Sequence, residues 1–236
     1  MAGPDRRTQL AANLDEVRGR IGRACAAAGR DPGSVTLVAV TKTYPASDVV
    51  LLAGLGVTDV GENRDQEAAA KAVAVREAGV SPRWHFVGRL QRNKARSVVA
   101  YADVVESVDS LRLVQALSRA AVSHRSSPLD VLVQVSLDGD ASRGGAVGPD
   151  IWDVADGVAA ADGLRLAGLM AVAPMEWEPA RAFSNLSDLS DRLRVDHPDA
   201  TVISGGMSGD MEEAIRHGAT HVRIGTSLLG MRKMLR

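Results

Sequence analysis

At 236 residues and 45% hydrophobic content the chain is long enough to bury a sizeable core, and its single cysteine excludes an internal disulfide or a paired-cysteine metal site. Its 28 basic and 29 acidic side chains leave a net charge of −1, so no overall field favours nucleic acid or an anionic membrane. The N-terminus is polar and no apolar run approaches the ~20 residues of a membrane span, so a soluble cytoplasmic protein with no membrane or nucleic-acid partner is expected.

The first expected element is a helix over about 8–28, where Leu10, Leu14, Val17, Ile21, Cys25 and Ala28 recur at helical spacing and make Cys25 a core residue. Asp31-Pro32-Gly33 then opens a Val-rich run at 35–40, which reads as a buried parallel strand leading to Lys42. Further strand-like runs follow at 58–61, 84–87, 104–106, 130–135, 164–170, 201–203 and 221–224. Helical stretches separate them, and 226–235 reads as a short closing helix. Strands and helices alternating in this way predict the α/β class: a (β/α)8 TIM-type barrel, one domain over 1–236 with an extra N-terminal helix. A doubly wound sheet needs a glycine fingerprint after its first strand, and Thr41-Lys42-Thr43-Tyr44-Pro45 has no glycine.

Barrels place their chemistry just beyond the C-terminal ends of the strands. Lys42 stands there, and a lysine whose pKa burial has lowered forms Schiff bases with carbonyl compounds; the plainer alternative is an ammonium that snorkels to solvent. Ser204-Gly205-Gly206-Met207-Ser208 follows the seventh strand and precedes a helix that Asp210 is placed to cap and Glu213 to reinforce. Gly225-Thr226 forms a second such corner, and loops after the seventh and eighth strands often hold phosphate. A lysine facing a phosphate cradle suits a phosphorylated aldehyde. Arg223, within the eighth strand, has two readings: an ion pair with an acidic neighbour such as Glu62, or a guanidinium against the ring nitrogen of a pyridoxal phosphate.

Other signals read as structural. Arg83, Arg89, Arg92, Lys94 and Arg96 have only Trp84 and Phe86 among them, which suits a solvated helix face better than a nucleic-acid site. Asp138-Gly139-Asp140 opens like a calcium loop, but Arg143 stands where that loop needs glycine, and the histidines lack ligand spacing, so no metal site is expected. Residues 138–149 read as a surface loop that a lid role would also suit. Met170, Met175 and Met207 read as packing residues.

Together, Ala39-Val40-Thr41-Lys42, Gly61-Glu62-Asn63 with Gln66-Glu67, Trp84-His85-Phe86-Val87-Gly88 with Leu90-Gln91 and Asn93-Lys94, Gly168-Leu169-Met170, Met207-Ser208 and Arg223-Ile224-Gly225-Thr226 resemble the pyridoxal phosphate homeostasis proteins over almost the whole chain. The resemblance implies a barrel like the N-terminal domain of alanine racemase, with pyridoxal 5′-phosphate held as an internal aldimine on Lys42. It further implies phosphate contacts from Ser204, Gly225 and Thr226, with Gly205 in the cradle, a ring-nitrogen contact from Arg223, and Asn63 near the cofactor. Three departures stand out: Gly205 where methionine is common, which would widen the cradle; Arg64 where an aromatic residue often follows; and Ala173-Pro174-Met175 where a Pro-Pro pair is frequent.

The family is regarded as a set of cofactor carriers without established catalysis, so the expected role is intracellular homeostasis of pyridoxal phosphate by a monomer, with cofactor-requiring apoenzymes as recipients. The alternative is an amino-acid racemase. Racemisation needs acid/base groups on both faces of the α-carbon, and neither Tyr44 nor Tyr101 is placed for the second face. The chain also ends at Arg236, without room for the further domain that racemases use. No catalytic residue is therefore assigned.

Overall fold

The computed structural model describes residues 5–140 and 144–230. The chain opens with α1 (Arg6–Ala27), capped by Asp5, whose carboxylate accepts from the Thr8 N–H at 2.8 Å. Eight strands and the helices after them then alternate: β1 (Thr36–Val40), α2 (Ala46–Ala53), β2 (Asp59–Glu62), α3 (Asp65–Glu77), β3 (Arg83–Phe86), α4 (Ala95–Val99), β4 (Val104–Val108), α5 (Leu111–His124), β5 (Leu129–Val135), α6 (Asp150–Ala159), β6 (Leu164–Ala171), α7 (Pro179–Asp196), β7 (Val202–Ser204), α8 (Met211–Arg216), β8 (His221–Ile224) and α9 (Thr226–Leu229).

Every neighbouring pair is parallel, and β8 returns to β1 with Thr36 opposite His221 and Ala39 opposite Ile224, so the sheet closes in sequence order. The predicted (β/α)8 barrel is the observed architecture. Strands that are covered on both sides need apolar residues on both, which is why β1 and β5 read as near-continuous Val/Leu runs. The helix-facing residues form two large clusters, one around Leu117, Leu129 and Leu186 and one around Leu10, Val60 and Ile224. Leu10, Leu14, Val17, Ile21 and Cys25 bury the inner stripe of α1 against α8, α9 and α2. Among the described residues no helix is long and apolar enough to cross a membrane.

Strand boundaries shift by one or two residues from the sequence reading, and the shifts matter. β2 includes Glu62, β4 continues through Ser107 and Val108, and β7 includes Ser204. Of the three methionines read as packing residues, only Met170 packs, inside the barrel with Val104 and Leu132; Met175 is 98% and Met207 42% exposed on loops. The expected helix at 226–235 is observed as α9, and residues beyond 230 lie outside the described set. In the expected loop, residues 141–143 are likewise outside it; Ala146 pairs back onto β5 through Gln134 and Ser136, so the end of this segment is tied to the sheet.

Candidate cofactor site at the barrel mouth

Lys42 lies two residues past β1, on a turn that leaves the barrel: Thr41 is buried, Lys42 and Thr43 are exposed, and Thr43 has φ +68°. The burial anticipated for Lys42 is thus not found, because the chain turns outward at once. A second lysine, which the sequence reading passed over, fixes that turn. Lys71 of α3 is buried and donates to the Thr41 carbonyl at 2.8 Å and to Glu62 Oε1 at 2.5 Å, while Thr41 Oγ1 donates to the same carboxylate at 2.7 Å. Glu67 Oε1 accepts from the Thr43 N–H at 2.6 Å. Lys71 is therefore committed to the fold and Lys42 is the free amine of the pair. The i,i+4 spacing of Glu67 and Lys71 was the available sequence signal.

β8 lies beside β1, so Gly225-Thr226 flanks the Lys42 turn on one side. On the other, the end of β2 presents Asn63, whose buried Oδ1 has no hydrogen-bond partner among the described residues. The end of β3 comes so close to it that a Cβ on Gly88 would sit 2.2 Å from the Asn63 carbonyl oxygen, which makes glycine obligatory there. Beside Asn63 opens a cleft of about 540 Å³, lined by Gln66, Glu67, Arg89, Gln91 and Lys94 among others.

The corner after β7 differs from expectation in four ways. Ser204 is a strand residue whose hydroxyl points inward, donating to Glu106 Oε2 and accepting from Arg223, each at 2.6 Å, so it does not face a phosphate. Gly205 gives its N–H to the His221 carbonyl at 3.0 Å, and a side chain there would point at Phe183 and Leu186, so this glycine neither supplies a free donor nor widens the cradle. Asp210 turns back to accept from the Met207 N–H at 2.6 Å instead of capping α8. Glu213 pairs outward with Arg216 instead of reinforcing that cap. What remains for an anion is the Gly206–Ser208 turn with Gly225-Thr226. Gly206 has φ +90°, and a Cβ there would meet that of Ala214 at 2.6 Å. The Ser227 N–H reaches Ser208 Oγ at 3.4 Å and ties the two corners together.

Beneath the mouth, a chain of charged groups crosses the barrel. Arg223, 5% exposed, donates to Ser204 and to the Ala171 carbonyl at 2.8 Å and stands 3.8 Å from Glu106 Oε2. Glu106 Oε1 meets His85 Nδ1 at 2.6 Å, and His85 Nε2 meets Asp59 Oδ1 at 3.0 Å. The acidic partner of Arg223 is thus Glu106 and not Glu62, which serves Lys71. These contacts run from β2 and β3 through β4 to β7 and β8, so they occupy the interior where barrels usually stack apolar side chains.

Charge balance keeps the chain tolerable. Burial opposes a charged His85, but its hydrogen bonds to Asp59 and Glu106 outweigh that and push it up to about 9. Burial likewise opposes a charged Glu106, yet His85, Arg223 and Ser204 hold it down to about 2. Two cations thus face the two carboxylates of Glu106 and Asp59. Against an unfolded value of about 6.5, the stability from His85 is complete below about pH 6.5 and is lost as pH rises through about 9, on the order of 3 kcal/mol. Glu106 contributes stability above its unfolded value of about 4.3 that is lost as pH falls through about 2. The urea midpoint is expected to decline from about pH 6.5 to about pH 9, and a flat profile there would show His85 to be neutral.

Comparison with known proteins places the chain in a family and matches its fold. Residues 8–233 match the family model of the alanine racemase N-terminal domain. A pyridoxal phosphate homeostasis protein of Mycobacterium tuberculosis is 45% identical over 249 residues, covering 99% of this chain and 96% of the relative. The chain belongs to the pyridoxal phosphate homeostasis protein family. An Escherichia coli member is 37% identical over 227 residues, 94% of this chain and 97% of its own. The structure of Synechococcus elongatus PipY with pyridoxal phosphate bound, 31% identical, superposes with a TM-score of 0.82 over 94% of this chain and 100% of that one. An alanine racemase of Clostridium difficile shares the fold, with a TM-score of 0.70 at 16% identity over 97% of this chain and 58% of that chain.

Proposed function

We propose that this protein binds pyridoxal 5′-phosphate at the barrel mouth, covalently and reversibly through Lys42 Nζ, and keeps or delivers it in the cytoplasm as a monomer without substantial catalysis. The single observation carrying this reading is the full-length likeness to PipY, whose structure has pyridoxal phosphate bound. When bound, the cofactor supplies an aldehyde carbon to which a primary amine adds with loss of water. The residues present fit such a group. Lys42 is an exposed amine on a turn held by buried Lys71, the unpartnered Asn63 Oδ1 calls for a polar partner, and the Gly206–Ser208 and Gly225-Thr226 corners, joined by the Ser227–Ser208 hydrogen bond, bring two strand-end turns of small residues together.

Arg223 would face the ring nitrogen from below. Its charge, fixed by Glu106, gives that nitrogen no proton, so the ring would withdraw electrons weakly and suit storage better than turnover. The tyrosines also disfavour racemisation. Tyr44 gives its hydroxyl to the Gly230 carbonyl at 2.5 Å, and Tyr101 packs edge-on against Trp84 outside the barrel.

The test is the absorbance of the protein before and after adding pyridoxal phosphate, followed by borohydride reduction and peptide mapping. A yellow protein labelled on Lys42 is expected; label on another residue rejects the assignment. The loaded protein should not racemise L-alanine or L-serine faster than free cofactor, and robust turnover would favour the racemase. Arg223→Glu puts a third carboxylate beside Glu106 and removes the ring contact, so cofactor retention through gel filtration should fall at least roughly tenfold. Unchanged retention would make Arg223 purely structural.

A further inference from the structure

The basic residues that sit close together in sequence separate in the fold. Arg83 turns to the opposite end of the barrel and pairs with Asp130, whereas Arg89 and Arg92 face Arg112 and Arg119 of α5 across a groove of about 1240 Å³. All four of these arginines are exposed, and none makes a salt bridge among the described residues. Many arginines that serve the fold are paired, as Arg6 is with Asp48, Arg20 with Glu212 and Arg165 with Asp130. Asp109 is the carboxylate of the groove, and it accepts from the Gly145 N–H at 3.3 Å. Three positive charges are left in surplus on one wall-to-wall surface of a chain whose net charge is −1. The groove also runs into the mouth, because Arg89, Leu90 and Gln91 line both it and the cleft beside Asn63.

We propose that this groove docks an acidic segment of the protein that receives the cofactor. Glu or Asp carboxylates would lie between Arg89 and Arg92 on one wall and Arg112 and Arg119 on the other. The guanidinium fork suits paired carboxylates, and the shared rim holds the recipient against the mouth from which the cofactor leaves. No aromatic side chain lines the groove for bases to stack on, and the chain has no long-range positive field, so an acidic protein fits it better than nucleic acid. The inference rests on the carrier reading, but its test does not require that reading to hold.

The test compares wild type with Arg112→Glu/Arg119→Glu, two exposed positions one helical face apart from the core, using a fluorescent oligoglutamate peptide and an oligouridylate of equal charge at about 50 mM salt. Wild type should bind the peptide, the reversal should weaken it at least roughly tenfold, and added salt should weaken it further. Equal affinity of the two proteins, no peptide binding by wild type, or tighter binding of the oligouridylate would overturn the proposal. The double variant should take up pyridoxal phosphate with wild-type absorbance; if it alone fails to, the groove belongs to the cofactor site and the docking role is wrong. If neither protein takes up cofactor, the carrier reading fails while peptide affinity still decides the groove.

Discussion

Lys42→Ala is expected to yield a protein that folds normally, stays colourless with pyridoxal phosphate and carries no label after borohydride. The side chain is exposed, so its loss should change stability by no more than about 0.5 kcal/mol. The amine is what the covalent link needs, so its loss should remove the link altogether. Lys71 is the informative control: it sits one strand away but is held by the Thr41 carbonyl and by Glu62. Its amine should stay unlabelled in both proteins, as seen by intact mass and peptide mapping. Wild-type colour in the alanine variant would remove Lys42 from the assignment.

The second large effect is expected inside the barrel. Glu106→Gln keeps the shape of the side chain and a hydrogen-bonding oxygen but removes one of two negative charges facing His85 and Arg223. An uncompensated buried cation then remains, and breaking such a pair typically costs about 3–5 kcal/mol. That loss should appear in urea unfolding. His85 should titrate below about 9, because Glu106 is one of the two carboxylates that raise it. Cofactor retention should weaken as well, since Glu106, directly and through Ser204, holds Arg223 in place. A stability change under about 1 kcal/mol would mean that water reaches the chain and screens it.

The element order was legible in the sequence because parallel strands covered on both faces must be apolar on both, so the runs at 35–40 and 130–135 stand out. Strand ends were not legible to the residue. Counting Ser204 as loop placed its hydroxyl at the phosphate, whereas one more strand residue turns it inward to Glu106. Gly205 was misread for the same reason, since a glycine at a strand end looks in sequence like a glycine in a loop. Met175 and Met207 stand near strand ends and read as packing residues, yet both lie on exposed loops.

By itself the sequence determined the class of fold and the family, and singled out Lys42 at a strand end as the candidate amine, because each rests on local pattern and on ordered motifs along the chain. Only the tertiary structure decided what surrounds them. Glu106 finds Ser204 98 residues away, and β4 faces β7 and β8 only once the sheet has closed. The arginines of the groove meet for a related reason: the loop after β3 and the outer face of α5 are neighbours in space, and spacing along the chain carries no record of that.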